Sequence, residues 1–310
     1  INKFHSTFID SIQRYVHKGR IHAEINQLRS DQGGTVSGRL SYSNPNLQQI
    51  PARNKEYGDK IRSLFLPEEG KQWGSFDYSQ QEPRLVAHYA ASIDENFTGA
   101  QEFITAYQNE AADFHQIVAD MAGISRTQAK TINLGLFYGM GKAKLSKELG
   151  ISKDAAENLL GKYHNRVPFV KKLAEAVMSS ASKYGFIRTI KGRKCRFDMW
   201  EPATFGMNKA MQYEEAKAIY GNNIRRAFTY KALNRLIQGS AADQTKQAMI
   251  ECYKQGFKPM LQIHDELCFS INEESDIIKV KEIMENAIEG LKVPSKVDCA
   301  IGNSWGQAKE

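Results

Sequence analysis

Two short stretches place acids directly behind apolar runs. In "FDYSQQEPRL" (Phe76 to Leu85) the acids are Asp77 and Glu82, with Arg84 beyond them. In "LQIHDELCF" (Leu261 to Phe269) they are Asp265 and Glu266. Each aspartate falls at the end of a segment that reads as a buried strand. If those strands are neighbours in one sheet, Asp77 and Asp265 converge. Two ionised carboxylates a few ångströms apart repel, so one takes a proton or a cation sits between them. A hard oxygen site with few protein carboxylates and room for water and phosphate suits Mg²⁺. Two such ions about 4 Å apart can activate an attacking oxygen and steady a leaving one. Aspartate is also common in hairpin turns, so either stretch taken alone reads more readily as a turn.

A third stretch, "RTQAKTINLGLFYGMG" (Arg126 to Gly141), spaces Arg126, Lys130, Leu134 and Tyr138 four residues apart. On a helix they share one slowly rotating face. Arginine can hold phosphate oxygens in a bidentate grip, and lysine acts as a point charge beside them. A solvated basic face is the simpler alternative, but the glycine-rich apolar end suits it poorly. Glycine weakens a helix by about 1 kcal/mol, so Gly135 and Gly139 point to close approach by a ligand or another backbone.

The elements that must position these residues follow from pattern. "KQWGSF" reads as a strand running into Asp77, and "PRLVAHYAAS" as the helix after it. "KPMLQI" and "ELCFSI" read as two strands with His264 and Asp265 at a tight turn between them. "SDIIKVKEIMENAIEGL" has helical periodicity, and "SKVDCAIG" closes the chain as a strand. "LIQGSAADQTKQAMIECYKQG" (Leu236 to Gly256) reads as a helix with Gly256 as its cap. "RIHAEINQL" (Arg20 to Leu28) alternates like a half-buried strand, and "SDQGG" after it suggests a hairpin. "GRLSYSNPNLQQIPARN" (Gly38 to Asn54) reads as an ordered loop, and Phe97 to Arg226 as mostly helical. Strands at both ends with a helical block between them predict an α+β fold.

The bulk numbers agree with a globular protein. The 310 residues are 41% hydrophobic and 25% charged, and the formal net charge of +7 suits a polyanionic partner. Cys195, Cys252, Cys268 and Cys299 show no zinc-ligand spacing, so a zinc site or disulfide framework is not expected and reduced thiols are. No run of about 20 apolar residues predicts a membrane span. No signal segment is expected, and Ile1 in place of Met leads us to expect a longer chain upstream.

Taken together, the stretches resemble the polymerase module of family A DNA polymerases, the DNA polymerase I family. "DYSQQEPR" is similar to motif A, "RTQAKTINLGLFYG" to motif B and "QIHDEL" to motif C. "SGRLSYSNPNLQQIP" resembles the segment preceding motif A, and the likeness runs from about Phe4 to "GNSWGQA". The resemblance implies an antiparallel-sheet palm with an inserted helical fingers subdomain, most of the thumb being absent. The expected divisions are the end of the thumb at 1–19, palm at 20–92 and 234–310, and fingers at 93–233 with a branch insertion over 199–223. It implies a template-directed DNA polymerase using two Mg²⁺ ions, primer–template DNA and dNTPs.

Residue by residue, the resemblance makes Asp77, Asp265 and the Tyr78 carbonyl metal ligands, with Glu266 as the second acid of motif C. It places Gln80, Glu82, His115, Arg126, Lys130, Leu134 and Tyr138 around the incoming nucleotide. Lys130 becomes the proton donor to pyrophosphate, and Glu82 the block to a ribose 2′-hydroxyl. Arg39, Asn46, Gln48, Arg53, Asn234, Gln238 and His264 match residues that contact the DNA. A thumb and exonuclease region, upstream or on a partner, and a bacterial or phage-infected cytoplasm are expected, with no membrane association. Leu134 replaces the family's usual aromatic residue, Gln81 and Pro83 replace apolar ones, and Tyr230 stands where Arg is often found. These departures resemble phage-type members. A non-catalytic primer–template binding subunit, a two-metal nuclease and an RNA polymerase are the competing readings.

Overall fold

The computed structural model describes residues 5–31, 33–51, 57–93, 100–108, 113–137, 140–204 and 209–308. It is an α+β fold in which, among the described residues, every sheet pairing is antiparallel. The chain forms two compact units. Unit 1 holds residues 1–81, 241–290 and 295–310, and unit 2 holds 82–240 and 291–294.

The first 81 residues carry helix α1 (Ser11–Gln13), strands β1 (Val16–His17), β2 (Arg20–Ile21), β3 (Glu24–Asn26) and β4 (Ser41–Ser43), helix α2 (Gly58–Arg62) and strand β5 (Gln72–Tyr78). Helices α3 (Gln81–Ile93), α4 (Ala100–Gln108), α5 (Phe114–Ala122), α6 (Arg126–Phe137), α7 (Lys142–Leu149), α8 (Lys153–Arg166) and α9 (Pro168–Tyr184) follow. Next come β6 (Phe186–Arg188), β7 (Lys194–Arg196), β8 (Trp200–Pro202), helix α10 (Tyr213–Tyr220) and β9 (Ile224–Arg226). Helix α11 (Ala232–Lys254) returns the chain to unit 1, where β10 (Leu261–Ile263), β11 (Glu266–Ile271), α12 (Glu274–Glu285) and β12 (Val297–Gly302) complete it. Among the described residues no helix is long and apolar enough to cross a membrane.

Unit 1 is organised by a four-stranded sheet in the order β10-β11-β5-β12. Phe76, Tyr78, Leu267, Phe269 and Val297 pack on one face with Ala248 and Cys252 of α11 and Val280 and Met284 of α12. The other face packs Trp73 and Cys268 with Leu40, Tyr42, Leu47, Ile61 and Trp305. Because both faces are covered, β5 reads as a continuous buried run and not as an alternation. From Trp73 to Tyr78 only Asp77 is exposed. Burying each large side chain of this core stabilises the sheet by about 1.5–3 kcal/mol.

Several expectations need correction. The segment Arg20 to Leu28 is not one strand: β2 pairs back on β1, and β3 pairs with β4. Ile21 and Ala23 pack against the core, but Ile25 is 47% exposed. The partner strand β4 lies inside the stretch read as loop, which also holds a 3₁₀ turn at Leu47–Gln49. The helical block ends at Tyr184, where Gly185 takes a left-handed conformation (φ +75°). Two hairpins, β6–β7 and β8–β9, occupy much of the remainder up to Arg226. Ile187 and Cys195 are the buried cross-strand pair of β6–β7, set beside Arg188, Lys194 and Arg196.

Candidate active site

Asp77 sits in the middle strand of the sheet, level with Glu266 on β11 and with Asp298 on β12. Residues level across an antiparallel pair share a face. The three acids therefore form a row on one side of the sheet. Asp298 leans toward Lys296, with an N···O separation of 4.0 Å. Glu266 is held from the side: the Trp305 indole donates to its Oε1 at 3.2 Å, and Cys268 Sγ lies 3.4 Å from the same atom. Trp305 is itself fixed by stacking on Trp73 (6.1 Å between centroids) and by the Arg62 guanidinium 4.3 Å over its ring.

Asp265 and His264 form the two-residue loop that joins β10 to β11, since Ile263 pairs with Glu266. His264 adopts φ +57°, and Gln80, in the turn that follows β5, adopts φ +52°. A non-glycine residue held in that region marks a turn that the surroundings over-determine, a feature that clusters at functional sites. Burial pushes the Asp265 carboxyl above its ordinary range, with Glu266 pushing the same way. A hydrogen bond to its own backbone, Arg39 and His264 pull it back without cancelling the rise. A carboxylate in that position gains from a cation.

The proposed DNA-contacting residues of unit 1 are linked to this loop. Asn46 Oδ1 accepts from the Gln48 amide at 3.1 Å. Gln48 Nε2 reaches the Leu40 carbonyl (3.3 Å) and Gln262 Oε1 (3.4 Å), and Gln262 Nε2 donates to the His264 carbonyl. Gln81, a departure from family pattern, now has a physical account. It is buried, and its Nε2 lies 3.2–3.3 Å from the Ala241 carbonyl, Gln244 Oε1 and Thr245 Oγ1, joining the start of α3 to α11. Pro83 falls in the first turn of α3, where its missing N–H is not needed.

In unit 2 the cations are set by local capping. Ser125 Oγ accepts from the Gln128 amide (3.2 Å) while Gln128 Oε1 accepts from the Ser125 amide (3.0 Å). This capping box starts α6 and puts Arg126 at its first position. Asp113 caps α5 by accepting from the amides of His115 and Gln116 at 2.8 and 3.2 Å. Its other oxygen binds Arg126 at 2.8 Å from Nε and 2.6 Å from Nη2. Burial raises the Asp113 carboxyl, but Arg126 and the two amides outweigh it and the net shift is downward. Lys130 is exposed one turn further along α6. The His115 imidazole is lowered by burial first, then raised by Asp113 and lowered by Lys130 and Arg126. Its Nδ1 lies 3.0 Å from Asn133 Nδ2, and Tyr163 donates to Asn133 Oδ1 at 2.7 Å.

Glu82 lies in the first turn of α3, half-buried. Arg84 is a core anchor: it is buried, donates to the Pro294 carbonyl at 2.7 Å and lies 4.5 Å over the Tyr107 ring. Asn234 and Gln238 are four residues apart on α11, and Asn234 Nδ2 is buried with no hydrogen-bond partner among the described residues. Leu134 is on α6. An added Cβ at Gly135 would lie 2.7 Å from Met140 Sδ, so this side chain occupies the space beside the glycine. Arg53, Tyr138 and Gly139 lie outside the described residues. Asp113, Asn133, Tyr163 and Asp298 were not singled out from sequence. Only Asp113 carries a local signal, an aspartate just ahead of a helix.

Unit 1, an antiparallel sheet ending in a row of acids, and unit 2, a helical unit carrying Arg126, Lys130 and His115, make this an α+β protein. The chain matches the family model for DNA polymerase family A over residues 1–307, and it belongs to that family. It is 38% identical over 356 aligned residues to a DNA-directed DNA polymerase of Pseudomonas phage M6, covering 99% of this chain and 50% of the relative. It is 33% identical to the thermostable DNA polymerase I of Thermus aquaticus, covering 100% of this chain and 36% of the relative. A solved structure, the POL domain of Pol1 from M. smegmatis in complex with DNA primer-template and dNTP, superposes with a TM-score of 0.76 at 32% identity. That match covers 96% of this chain and 50% of the other. The chain thus spans half or less of the length of these relatives.

Proposed function

We propose that this chain is the polymerase module of a template-directed DNA polymerase, transferring dNMP from a dNTP to a primer 3′-hydroxyl with release of pyrophosphate. The observation that carries the reading is Asp77: the one exposed position between buried neighbours on the central strand, level with Glu266 and next to the Asp265 loop. Unit 1 would act as the palm and unit 2 as the fingers. Thumb and exonuclease would lie upstream or on a partner, and the protein would work at DNA in a bacterial or phage-infected cytoplasm.

Among the described residues no group of three or more His, Cys, Asp and Glu is arranged to hold a metal ion. Two carboxylates and a backbone carbonyl are nevertheless a fitting donor set for Mg²⁺, which keeps water and substrate phosphate as its remaining ligands. Asp77, Asp265 and the Tyr78 carbonyl would hold two such ions. When bound, they supply a lowered pKa for the 3′-hydroxyl and neutralisation of charge on the leaving pyrophosphate.

The side chains of this protein do the rest by positioning. Arg126 and Lys130 grip the triphosphate, and Lys130 delivers a proton to the departing pyrophosphate. His115 adds a directional hydrogen bond, Gln80, Leu134 and Tyr138 border the nucleotide, and Glu82 excludes a 2′-hydroxyl. Arg39, Asn46, Gln48, Arg53, Asn234, Gln238 and His264 track the primer–template. In the minor groove such donors reach the N3 and O2 acceptors shared by all base pairs, so they check pair geometry without reading sequence. Asn234 Nδ2, which has no hydrogen-bond partner among the described residues, is a donor available to such an acceptor. Primer extension tests the reading. Wild type extends a primer with dNTPs, and Asp77→Ala and Asp265→Ala abolish extension while retaining DNA binding. No extension by the wild type with its upstream region, or full activity in either variant, refutes it.

A further inference from the structure

We propose that Asn133 and Tyr163 are positioning residues that lock His115 into one tautomer, with the proton on Nε2. The inference rests on the polymerase reading only for the identity of the phosphate that Nε2–H meets; the tautomer follows from the buried network itself.

Tyr163 and Asn133 are fully buried, and His115 is 9% exposed. The Tyr163 hydroxyl lies 2.7 Å from Asn133 Oδ1, and Asn133 Nδ2 lies 3.0 Å from His115 Nδ1. Two orientations of the amide would fill this space. In the other one, Nδ2 would face the Tyr163 oxygen and Oδ1 would face His115 Nδ1. The Tyr163 proton would then have no acceptor among the described residues, and an unmade buried donor is costly. The 2.7 Å separation is also the length of an O–H···O bond, shorter than the usual N–H···O. Tyr163 therefore fixes which end of the Asn133 amide faces the histidine.

That end is a donor. A primary amide nitrogen has no lone pair to offer, so Nδ1 of His115 must accept. A proton on Nδ1 would oppose donor to donor, which disfavours both the Nδ1–H tautomer and the imidazolium. The neutral ring then carries its proton on Nε2, which makes no hydrogen bond to a described residue. Burial and the nearby Lys130 and Arg126 also favour the neutral ring, against Asp113. The outcome is a neutral, directional N–H among cations. It can bind a phosphate oxygen without adding a charge that Lys130 and Arg126 would repel.

The test uses the full-length protein carrying ¹⁵N-histidine, with the His115 signals assigned from their loss in His115→Gln. The wild type is expected to give a pyridine-like Nδ1 and a pyrrole-like Nε2. In Asn133→Asp a carboxylate replaces the donor, and the proton is expected to move to Nδ1. Tyr163→Phe keeps the ring and frees the amide to rotate, so an averaged signal is expected. A wild-type His115 protonated on Nδ1, or already averaged, overturns the proposal. Steady-state primer extension supplies the second arm. Asn133→Asp and Tyr163→Phe should raise the dNTP KM by about threefold or more, and that rise should vanish in a His115→Gln background. Equal rises in both backgrounds overturn the positioning role. If the wild type extends no primer, the polymerase reading fails, while the labelled-histidine result still decides the tautomer.

Discussion

Asp113 performs two tasks with two oxygens, and two substitutions separate them. One oxygen caps α5 and the other binds Arg126. Asp113→Ala removes both. Loss of the cap costs about 1 kcal/mol. The ion pair adds about 0.2–1 kcal/mol, because the Arg126 and Asp113 side chains are 52% and 33% exposed and solvent screens them. The sum is about 1–2 kcal/mol. Asp113→Asn keeps a capping oxygen and loses only the charge, so about 0.2–1 kcal/mol goes, and that part fades near 1 M salt. Denaturant unfolding followed by helical circular dichroism at two ionic strengths measures the difference. The pH dependence has a definite sign. The folded carboxyl is lowered, so its contribution is present above the ordinary Asp value near 3.9 and is lost as pH falls through the folded value. The deficit of Asp113→Ala should therefore shrink in acid. Freed of Asp113, Arg126 should also grip triphosphate less well, raising the dNTP KM in both variants. An Asp113→Asn deficit equal to that of Asp113→Ala at both ionic strengths would refute the division of labour.

Asp265→Asn should raise the melting temperature of the metal-free protein at neutral pH, because burial disfavours the ionised carboxyl. That gain should vanish as pH falls toward the ordinary Asp range, and added Mg²⁺ should stabilise only the wild type. No gain in calorimetry would show that the carboxyl is better compensated than its surroundings imply. Tyr78→Phe deletes a buried bond to the Met284 carbonyl (2.6 Å) and should cost about 1–2 kcal/mol in chemical denaturation. Gly306→Ala would bring a Cβ to 2.2 Å from Ser63 Oγ and 2.5 Å from the Asp59 carbonyl. It should destabilise unit 1 by more than about 2 kcal/mol, with a change in tryptophan fluorescence as Trp305 leaves Glu266. A near-neutral melting shift would show that the Ser63 turn yields.

The strands and helices nearest the acids were legible because burial on both faces writes itself as a near-continuous run of apolar and small residues. Trp73 to Phe76 and Leu267 to Ile271 show this, with an acid where the cover ends. The short ladders β1–β4 and the hairpins β6–β9 were not. Ile25 is exposed although Ile21 and Ala23 of the same alternation reach the core, and the buried Ile187 and Cys195 stand beside Arg188, Lys194 and Arg196. Asn133 and Tyr163 were invisible for a different reason. Their meaning lies in pairings 18 and 30 residues apart, and each alone reads as an ordinary helix residue. Asp298 needed the register of β12 against β5, which no local pattern supplies. Gln81 looked like punctuation in sequence because its amide finds partners 160 residues away.

The row of acids has a consequence for how errors in folding would show. Side chains alternate between faces along β5, so a slip of a single residue against β11 would exchange Asp77 for Phe76 or Tyr78. The acid would then face Val280 and Met284, and the rings would be driven against the face already filled by Trp73, Leu40 and Trp305. Two costs oppose this: Asp77 would be buried without a partner, and the neighbouring aromatics fit only the face they now fill. The side of the sheet on which Asp77 emerges is thus enforced by residues that do no chemistry. A chain that pairs these strands wrongly would lose packing on both faces and be recognisable as misfolded before it could persist as a well-folded but inactive molecule.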